Sequence, residues 1–428
     1  MHNPLLHQPY WDMYYSTIIE EEAESRGDTQ KVELLDFRGF SSEQIDRKLG
    51  SLESNSICLY WVFKTPDAVE VGAIVSKIKK LFPKSLHIAG GTHVEKTREE
   101  SLGIFDATII GPGEGQFSNA IADANQSCLK QIYERPWPDV HFKDTPFARR
   151  NFIDKSRLVN TELFSEYGSL PATLTYFSRG CMYKCAFCTL NTPNMLQVKT
   201  PEAVYEEIMY LKDNYGIKAL LLKDEIAIHP NKRISTPILE AIQAADIIWR
   251  GQTVTKNTRE QLELAKVSGC KELAVGVETV DPNVMRNIGK QWQNLEQIES
   301  FIADARDLDI RIRICLILGL PGEGDNIVDE TIEFIEKNKI EYANVSGLCP
   351  LPGSPMYDNM QKYGIEYVDD TWSKHVHLIH RFEDEEKDHG LPFRYDQNNP
   401  LGAGRTPEVI SGDVKRLQAY LRETGKSY

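Results

Sequence analysis

Apolar and polar positions alternate along most of the chain in two periods. Short apolar runs bounded by glycine, proline or polar residues read as buried strands, and longer stretches with apolar residues three and four apart read as helices. In the first third, strands are expected at Lys31–Phe37, Ser56–Phe63, Leu86–Ala89 and Asp106–Ile110. Helices are expected at Ser42–Leu49, with Ser41 or Ser42 as cap, and at Asp67–Phe82. From Ala172 the alternation repeats about six times. The expected strands are Ala172–Phe177, Lys218–Leu222, Ile247–Thr253, Glu272–Val277, Arg311–Leu318 and Tyr342–Ser346. Between them, helices are expected at Pro201–Asp213, Ile234–Ala244, Arg259–Ser268, Leu295–Leu308 and Asn326–Lys337. The fold class is α/β. A parallel sheet covered on both faces comes first, and then a parallel barrel short of eight units. In both architectures, chemistry collects at the carboxyl ends of the strands.

The remaining stretches are less periodic. Residues 1–30 are rich in aromatics (Tyr10, Trp11, Tyr14, Tyr15) and turn acidic from Glu20 to Glu24. Pro136, Pro138 and Pro146 mark a linker. Beyond residue 360, Leu391–Pro407 reads as loop and Val414–Arg422 as a closing amphipathic helix. Trp372, His375, His377, His380 and Arg381 form a patch whose histidines do not recur at one helical spacing, so it reads as surface or substrate-facing rather than as a metal site. The expected organisation is a Rossmann-like domain over 1–130, a linker over 131–170, a barrel domain over 171–360 and an extension over 361–428.

Composition narrows the function class. With 428 residues, 41% hydrophobic and 26% charged, the chain is an ordinary globular protein of two or three domains. A net charge of −14 argues against a broad nucleic-acid-binding surface. No apolar run is long enough to span a bilayer, and His2, Asn3 and Pro4 do not begin a secretory signal, so a cytoplasmic location is expected. Eight cysteines in this length do not make a disulfide framework. Cys58, Cys270 and Cys315 read as small buried hydrophobes, whereas Cys128 and Cys349 are undecided.

The chemistry concentrates in Ser178-Arg179-Gly180-Cys181-Met182-Tyr183-Lys184-Cys185-Ala186-Phe187-Cys188. Three soft ligands at Cys-x3-Cys-x2-Cys spacing form a metal-binding pattern. Structural zinc wants four protein ligands, and no fourth Cys or His lies close by. An iron–sulfur cubane held by three thiolates keeps one iron open to a substrate. A zinc loop or three unrelated cysteines are the competing readings of the spacing alone.

This stretch resembles the signature of the radical S-adenosylmethionine (radical SAM) enzymes, including the aromatic Phe187 before the last cysteine. The resemblance implies that Cys181, Cys185 and Cys188 hold a [4Fe-4S] cluster whose open iron is chelated by SAM. It also implies that Phe187 borders the adenine, and that SAM is split into methionine and a 5'-deoxyadenosyl radical. Lys223-Asp224-Glu225 is similar to the family's acidic turn at the SAM ammonium. Gly276-Val277-Glu278-Thr279 is similar to its Gly-Ile-Glu-Ser, in which Glu278 would meet the ribose or amino acid part of SAM. Gly319-Leu320-Pro321-Gly322-Glu323 matches its turn near the adenine. Leu348 opens a stretch, through Pro355, like the family's Pro-Gly-Thr-Pro segment. Thr253 stands where the family often has an Arg. The implied fold is a partial, six-unit barrel, and the implied partner is a flavodoxin- or ferredoxin-type electron donor.

The first domain resembles the cobalamin-binding domain that precedes many radical SAM domains. The pieces that carry this are Val32 to Asp36, the turn Gly90-Gly91-Thr92-His93, and Gly111-Pro112-Gly113-Glu114-Gly115. The family's opening apolar strand is absent, because Asn3-Pro4 follows Met1 almost at once. No Asp-x-His-x-x-Gly motif marks a lower cobalt ligand. With cobalamin, the resemblance implies methyl transfer to an unactivated carbon or phosphorus. With a vestigial domain, it implies a radical rearrangement or oxidation. A non-catalytic iron–sulfur redox protein is the alternative from another class. Methylthio transfer is disfavoured, because Cys58 and Cys128 cannot supply that family's three extra cysteines. The substrate is not legible.

Overall fold

A computed structural model describes residues 8–28, 30–190, 195–372, 374, 375 and 390–427. His377, His380 and Arg381 lie outside the described residues. The chain divides into two compact units, residues 1–160 with 371–389 and residues 161–370 with 390–428.

In the first unit, helix α1 (Tyr10–Ser25) precedes α2 (Ser42–Leu49). Ser41 caps α2 in a reciprocal capping box with Gln44. Next come β1 (Ile57–Trp61), α3 (Thr65–Leu81), β2 (Leu86–Gly90), α4 (Thr92–Lys96) and α5 (Arg98–Ile104). The run closes with β3 (Ala107–Ile110), α6 (Gln116–Asn125), β4 (Ile132–Glu134) and the short α7 (Lys155–Leu158). The four strands form a parallel sheet in the order β1-β2-β3-β4. Val62, Val75, Ala89, Val94 and Phe105 build part of its core.

One expectation is corrected here, and one unread stretch is resolved. Lys31–Phe37 forms no strand: among the described residues it pairs with no neighbour, and a strand is a strand only through its ladder. Asp36 is instead gripped by Arg38 and Arg157 at 2.6 and 2.9 Å. The aromatic N-terminal stretch, which has no legible period, is the 16-residue helix α1, buried on most of its circumference.

The second unit carries the barrel. β5 (Ala172–Thr175) runs into an antiparallel hairpin of β6 (Ser178–Cys181) and β7 (Met195–Val198). Then follow α8 (Pro201–Tyr215), β8 (Ala219–Leu222), α9 (Lys232–Ala244), β9 (Ile248–Thr253), α10 (Arg259–Val267) and β10 (Cys270–Glu278). After α11 (Pro282–Asn287) and α12 (Leu295–Asp307) come β11 (Arg311–Leu318), α13 (Ile327–Lys337) and β12 (Tyr342–Gly347). The six barrel strands pair in parallel in chain order, β5-β8-β9-β10-β11-β12, as the repeated pattern predicts. Threonine and asparagine caps at Thr200, Asn231, Thr258 and Asn294 start the helices that return to the sheet.

The C-terminal residues of this unit form α14 (Pro355–Asp358), the pair β13 (Ile365–Val368) and β14 (Phe393–Tyr395), and α15 (Pro407–Glu423). α15 packs on the last barrel strand, and Ser427 forms a parallel bridge with Ala343. An edge that would otherwise offer unpaired backbone is thereby covered.

Candidate active site

The barrel topology brings the ends of five strands together, and most of the residues singled out in the second half of the sequence sit on them. The three cysteines follow β5, Asp224 and Glu225 follow β8, Glu278 ends β10, Gly319 follows β11 and Leu348 follows β12.

Cys181 closes the hairpin strand β6, and the Tyr183 N–H points to its sulfur at 3.5 Å. The Cys188 N–H donates to the Cys185 carbonyl at 3.1 Å, which tightens the turn between them. Ala186, between those two cysteines, donates its N–H to Ile288 at 2.8 Å and accepts from Met356 at 2.9 Å. Two separate elements thus pin the loop through its backbone. Phe187 lies against the apolar cluster of Ala186, Val284, Ile288, Leu320, Leu348 and Met356. Phe187 and Leu320 of the turn, both expected near the adenine, therefore share one apolar wall with Leu348.

The three thiols are free and half-buried. Burial pushes Cys185 up to about 12 and Cys188 up to about 11, and Cys181 is raised for the same reason. Each of Cys185 and Cys188 is raised further by the negative charge of a neighbouring cysteine, so the thiols sit within electrostatic reach of one another. Such a trio is neutral alone and deprotonates on binding metal. Among the described residues no three ligating side chains converge on one ion position. A cubane places each thiolate on a different iron and does not require that convergence. The donor set fits an iron–sulfur cluster.

Carboxylates flank the thiols. Glu225 acts electrostatically on Cys181 and Cys188, and Glu278 on Cys185 and Cys188. Glu278 adopts a left-handed backbone, φ 66°, at a break of register between β10 and β11. Asp224 is placed differently from its neighbour. It is buried, and its Oδ1 accepts the Phe177 N–H at 3.0 Å, so it fastens the strand that leads into the cysteine loop. Burial pushes its carboxyl up to about 7. Thr253 is also engaged internally, with its hydroxyl 2.6 Å from Asn257 and 3.2 Å from the Ile228 carbonyl.

The glycine turn after β11 is held from the C-terminal residues. Glu323 accepts the Gly319 N–H at 2.7 Å and an Arg405 N–H at 3.0 Å, and Tyr395 donates its hydroxyl to the Gly319 carbonyl at 2.8 Å. Lys290, Arg405 and Tyr395 belong to the site and escape sequence reasoning. Each is a lone residue far in sequence from its partner, with no period or spacing to mark it.

The turns of the first unit lie at the carboxyl ends of β2 and β3, as expected, and the chain's own atoms pack against the Cβ side of their glycines. A Cβ on Gly90 would meet the Trp61 ring at 2.8 Å, and one on Gly113 would meet the Tyr15 ring at 2.7 Å. A Cβ on Gly91 would meet the Val62 carbonyl oxygen at 2.6 Å. Glu114 accepts the Tyr14 hydroxyl at 2.6 Å. His93 is buried 3.2 Å from Thr65 Oγ1 and edge-on to Trp372. Burial, followed by the charge of His375, holds it down at about 4. Packing on the Cβ side accounts for these glycines.

Comparison with known proteins agrees with the barrel geometry. The model of the radical SAM superfamily matches residues 175–335. A bacteriochlorophyllide d C-12(1)-methyltransferase of Chlorobaculum tepidum is 23% identical over 69% of this chain and 64% of its own length. An uncharacterized methyltransferase of Pyrococcus horikoshii is 25% identical over 69% of this chain and 67% of its own. The chain thus spans about two thirds of the length of these relatives. Among solved structures, the radical SAM methyltransferase TsrM of Kitasatospora setae superposes with a TM-score of 0.64 at 15% identity, covering 83% of this chain and 74% of that one. The cobalamin-dependent radical enzyme OxsB gives 0.60 at 17% identity, over 84% of this chain and 53% of that one. Those likenesses establish the fold, an N-terminal Rossmann-like sheet followed by a partial barrel. Residues 175–335 of the chain are thus a radical SAM domain.

Proposed function

We propose that the chain reductively cleaves SAM to a 5'-deoxyadenosyl radical and uses it in methyl transfer to an unactivated centre. The observation that carries the radical step is the set of three free, half-buried thiols on the loop after the first barrel strand, flanked by Glu225 and Glu278. A bound cluster supplies one electron to SAM. Cys181, Cys185 and Cys188 would hold it. Glu225 and Glu278 present negative charge to the cationic amino end of SAM and acceptors to its ribose. Phe187 and Leu348 supply an apolar wall for the adenine, and the Gly319 turn brings backbone close to it. The buried setting shields a carbon radical from solvent.

Methyl transfer is supported by the relatives, which are named as methyltransferases. A bound corrinoid would supply the methyl group, a reading supported by the structure of the methyltransferase TsrM with cobalamin and a [4Fe-4S] cluster bound. The second reading is a radical oxidation or rearrangement without corrinoid. An electron donor of flavodoxin or ferredoxin type fits either chemistry. The separating experiment is anaerobic turnover with SAM, reductant and added methylcobalamin. Methyl transfer predicts S-adenosylhomocysteine beside 5'-deoxyadenosine. 5'-Deoxyadenosine alone, with no corrinoid retained on gel filtration, would select the second reading.

A further inference from the structure

Between α11 and α12 the chain passes under the cysteine loop as Ile288-Gly289-Lys290-Gln291-Trp292-Gln293. Lys290 is 3% exposed, an unusual place for an ammonium group. Its Nζ donates to the Gly276 carbonyl at 2.5 Å and lies 3.2 Å from Glu278 Oε1. The side chains of this ion pair are 4% and 11% exposed, so solvent screens it little. Lys290 also sits 5.2 Å from the centre of the Trp292 ring. Trp292 stacks on Tyr183 of the cysteine loop, with ring centres 4.0 Å apart and planes 19° apart. Gln293 donates to the carbonyls of Gly276 and Val277. One short segment therefore grips the end of β10 through Lys290 and Gln293, and the cysteine loop through Ile288 and Trp292.

Glu278 needs such a grip. Its left-handed backbone is costly for a residue with a Cβ. Its carboxylate packs where a Cβ on residue 276 would stand, which only glycine permits.

We propose that Lys290 is a positioning residue of the active site: it clamps the strained Glu278 carboxylate in the orientation that receives SAM and ties it to the cysteine loop. The proposal rests on Glu278 being a SAM contact. The test measures SAM affinity by equilibrium dialysis, with the cluster EPR signal and the melting temperature, on anaerobically reconstituted Lys290→Met, Lys290→Arg, Glu278→Gln and the double variant Lys290→Met/Glu278→Gln. Lys290→Met is expected to weaken SAM binding by about tenfold, the scale of one charge-assisted hydrogen bond. Lys290→Arg should restore most of that loss. The double variant should bind no more weakly than the weaker single one, because both act through one carboxylate. If Lys290→Met does not fold or load iron, Lys290→Gln replaces it, and Lys290→Arg still decides. Equal or tighter binding in Lys290→Met overturns the proposal, as do multiplying losses in the double variant. So does a folded, loaded Lys290→Arg that binds as weakly as the uncharged variants. Weakened Glu278→Gln with unaffected Lys290→Met removes the role of Lys290 alone. Unaffected Glu278→Gln removes the SAM-contact reading of Glu278, and the Lys290 proposal falls with it.

Discussion

Asp224 and Glu225 show how two neighbouring carboxylates of one turn take different places. An acidic turn after the second strand is visible in the sequence, but which of two adjacent carboxylates faces the site is not, because successive side chains leave a strand end in opposite directions. Asp224 turns inward to hold Phe177, and Glu225 faces the thiols. The folded state raises Asp224 from the ordinary 3.8 to about 7, so folding favours its protonated form. Its contribution to stability is fully present below about 3.8 and is lost as pH rises through about 7. The melting temperature of the wild type should therefore fall across that window relative to Asp224→Asn, which keeps an oxygen for the Phe177 N–H. Parallel curves of the two proteins between pH 5 and 8 would show that the carboxyl does not titrate there. The cysteines, by contrast, are legible at once, since three soft ligands packed into eight residues point to a metal before any fold is known.

At the scale of elements, the six barrel strands and their helices are legible because each combines a short apolar run with a capped amphipathic partner. Lys31–Phe37 fails because alternation records a side chain's environment, and the presence of a pairing neighbour is a property of the whole sheet. The closing helix is legible as an element, but its role is not. α15 sets Ile410 against Gly319, so the C-terminal residues shape the turn after β11. Gly319 has φ 88°, and a Cβ there would meet Ile410 Cγ2 at 2.7 Å. Gly319→Ala should lose about 1–2 kcal/mol to the left-handed backbone and about 1–3 more to overpacking. Ile410→Ala alone should lose about 2–5 kcal/mol as a cavity. Urea denaturation should find the double variant less destabilised than the sum by about 1 kcal/mol, because the smaller side chain accepts the new methyl. Strict additivity would mean that the two sites do not touch in solution.

The whole molecule joins a Rossmann-like unit to a six-strand barrel that carries the reactive loop. The order of barrel strands follows from the sequence alone, since each βα unit returns beside its predecessor. The glycine turns of the first unit could not be decided from sequence, because a glycine kept for a ligand and one kept for a tryptophan ring read alike. Everything rests on an iron corner that the protein leaves to SAM. The most direct measurement is quantification of 5'-deoxyadenosine formed by the anaerobically reconstituted protein with SAM and a strong reductant, beside Cys185→Ala. The expected result is one [4Fe-4S] cluster and accumulating 5'-deoxyadenosine in the wild type, with both lost in the variant. A fully loaded, reducible cluster that forms no 5'-deoxyadenosine, or a lone zinc ion on the three cysteines, would contradict it.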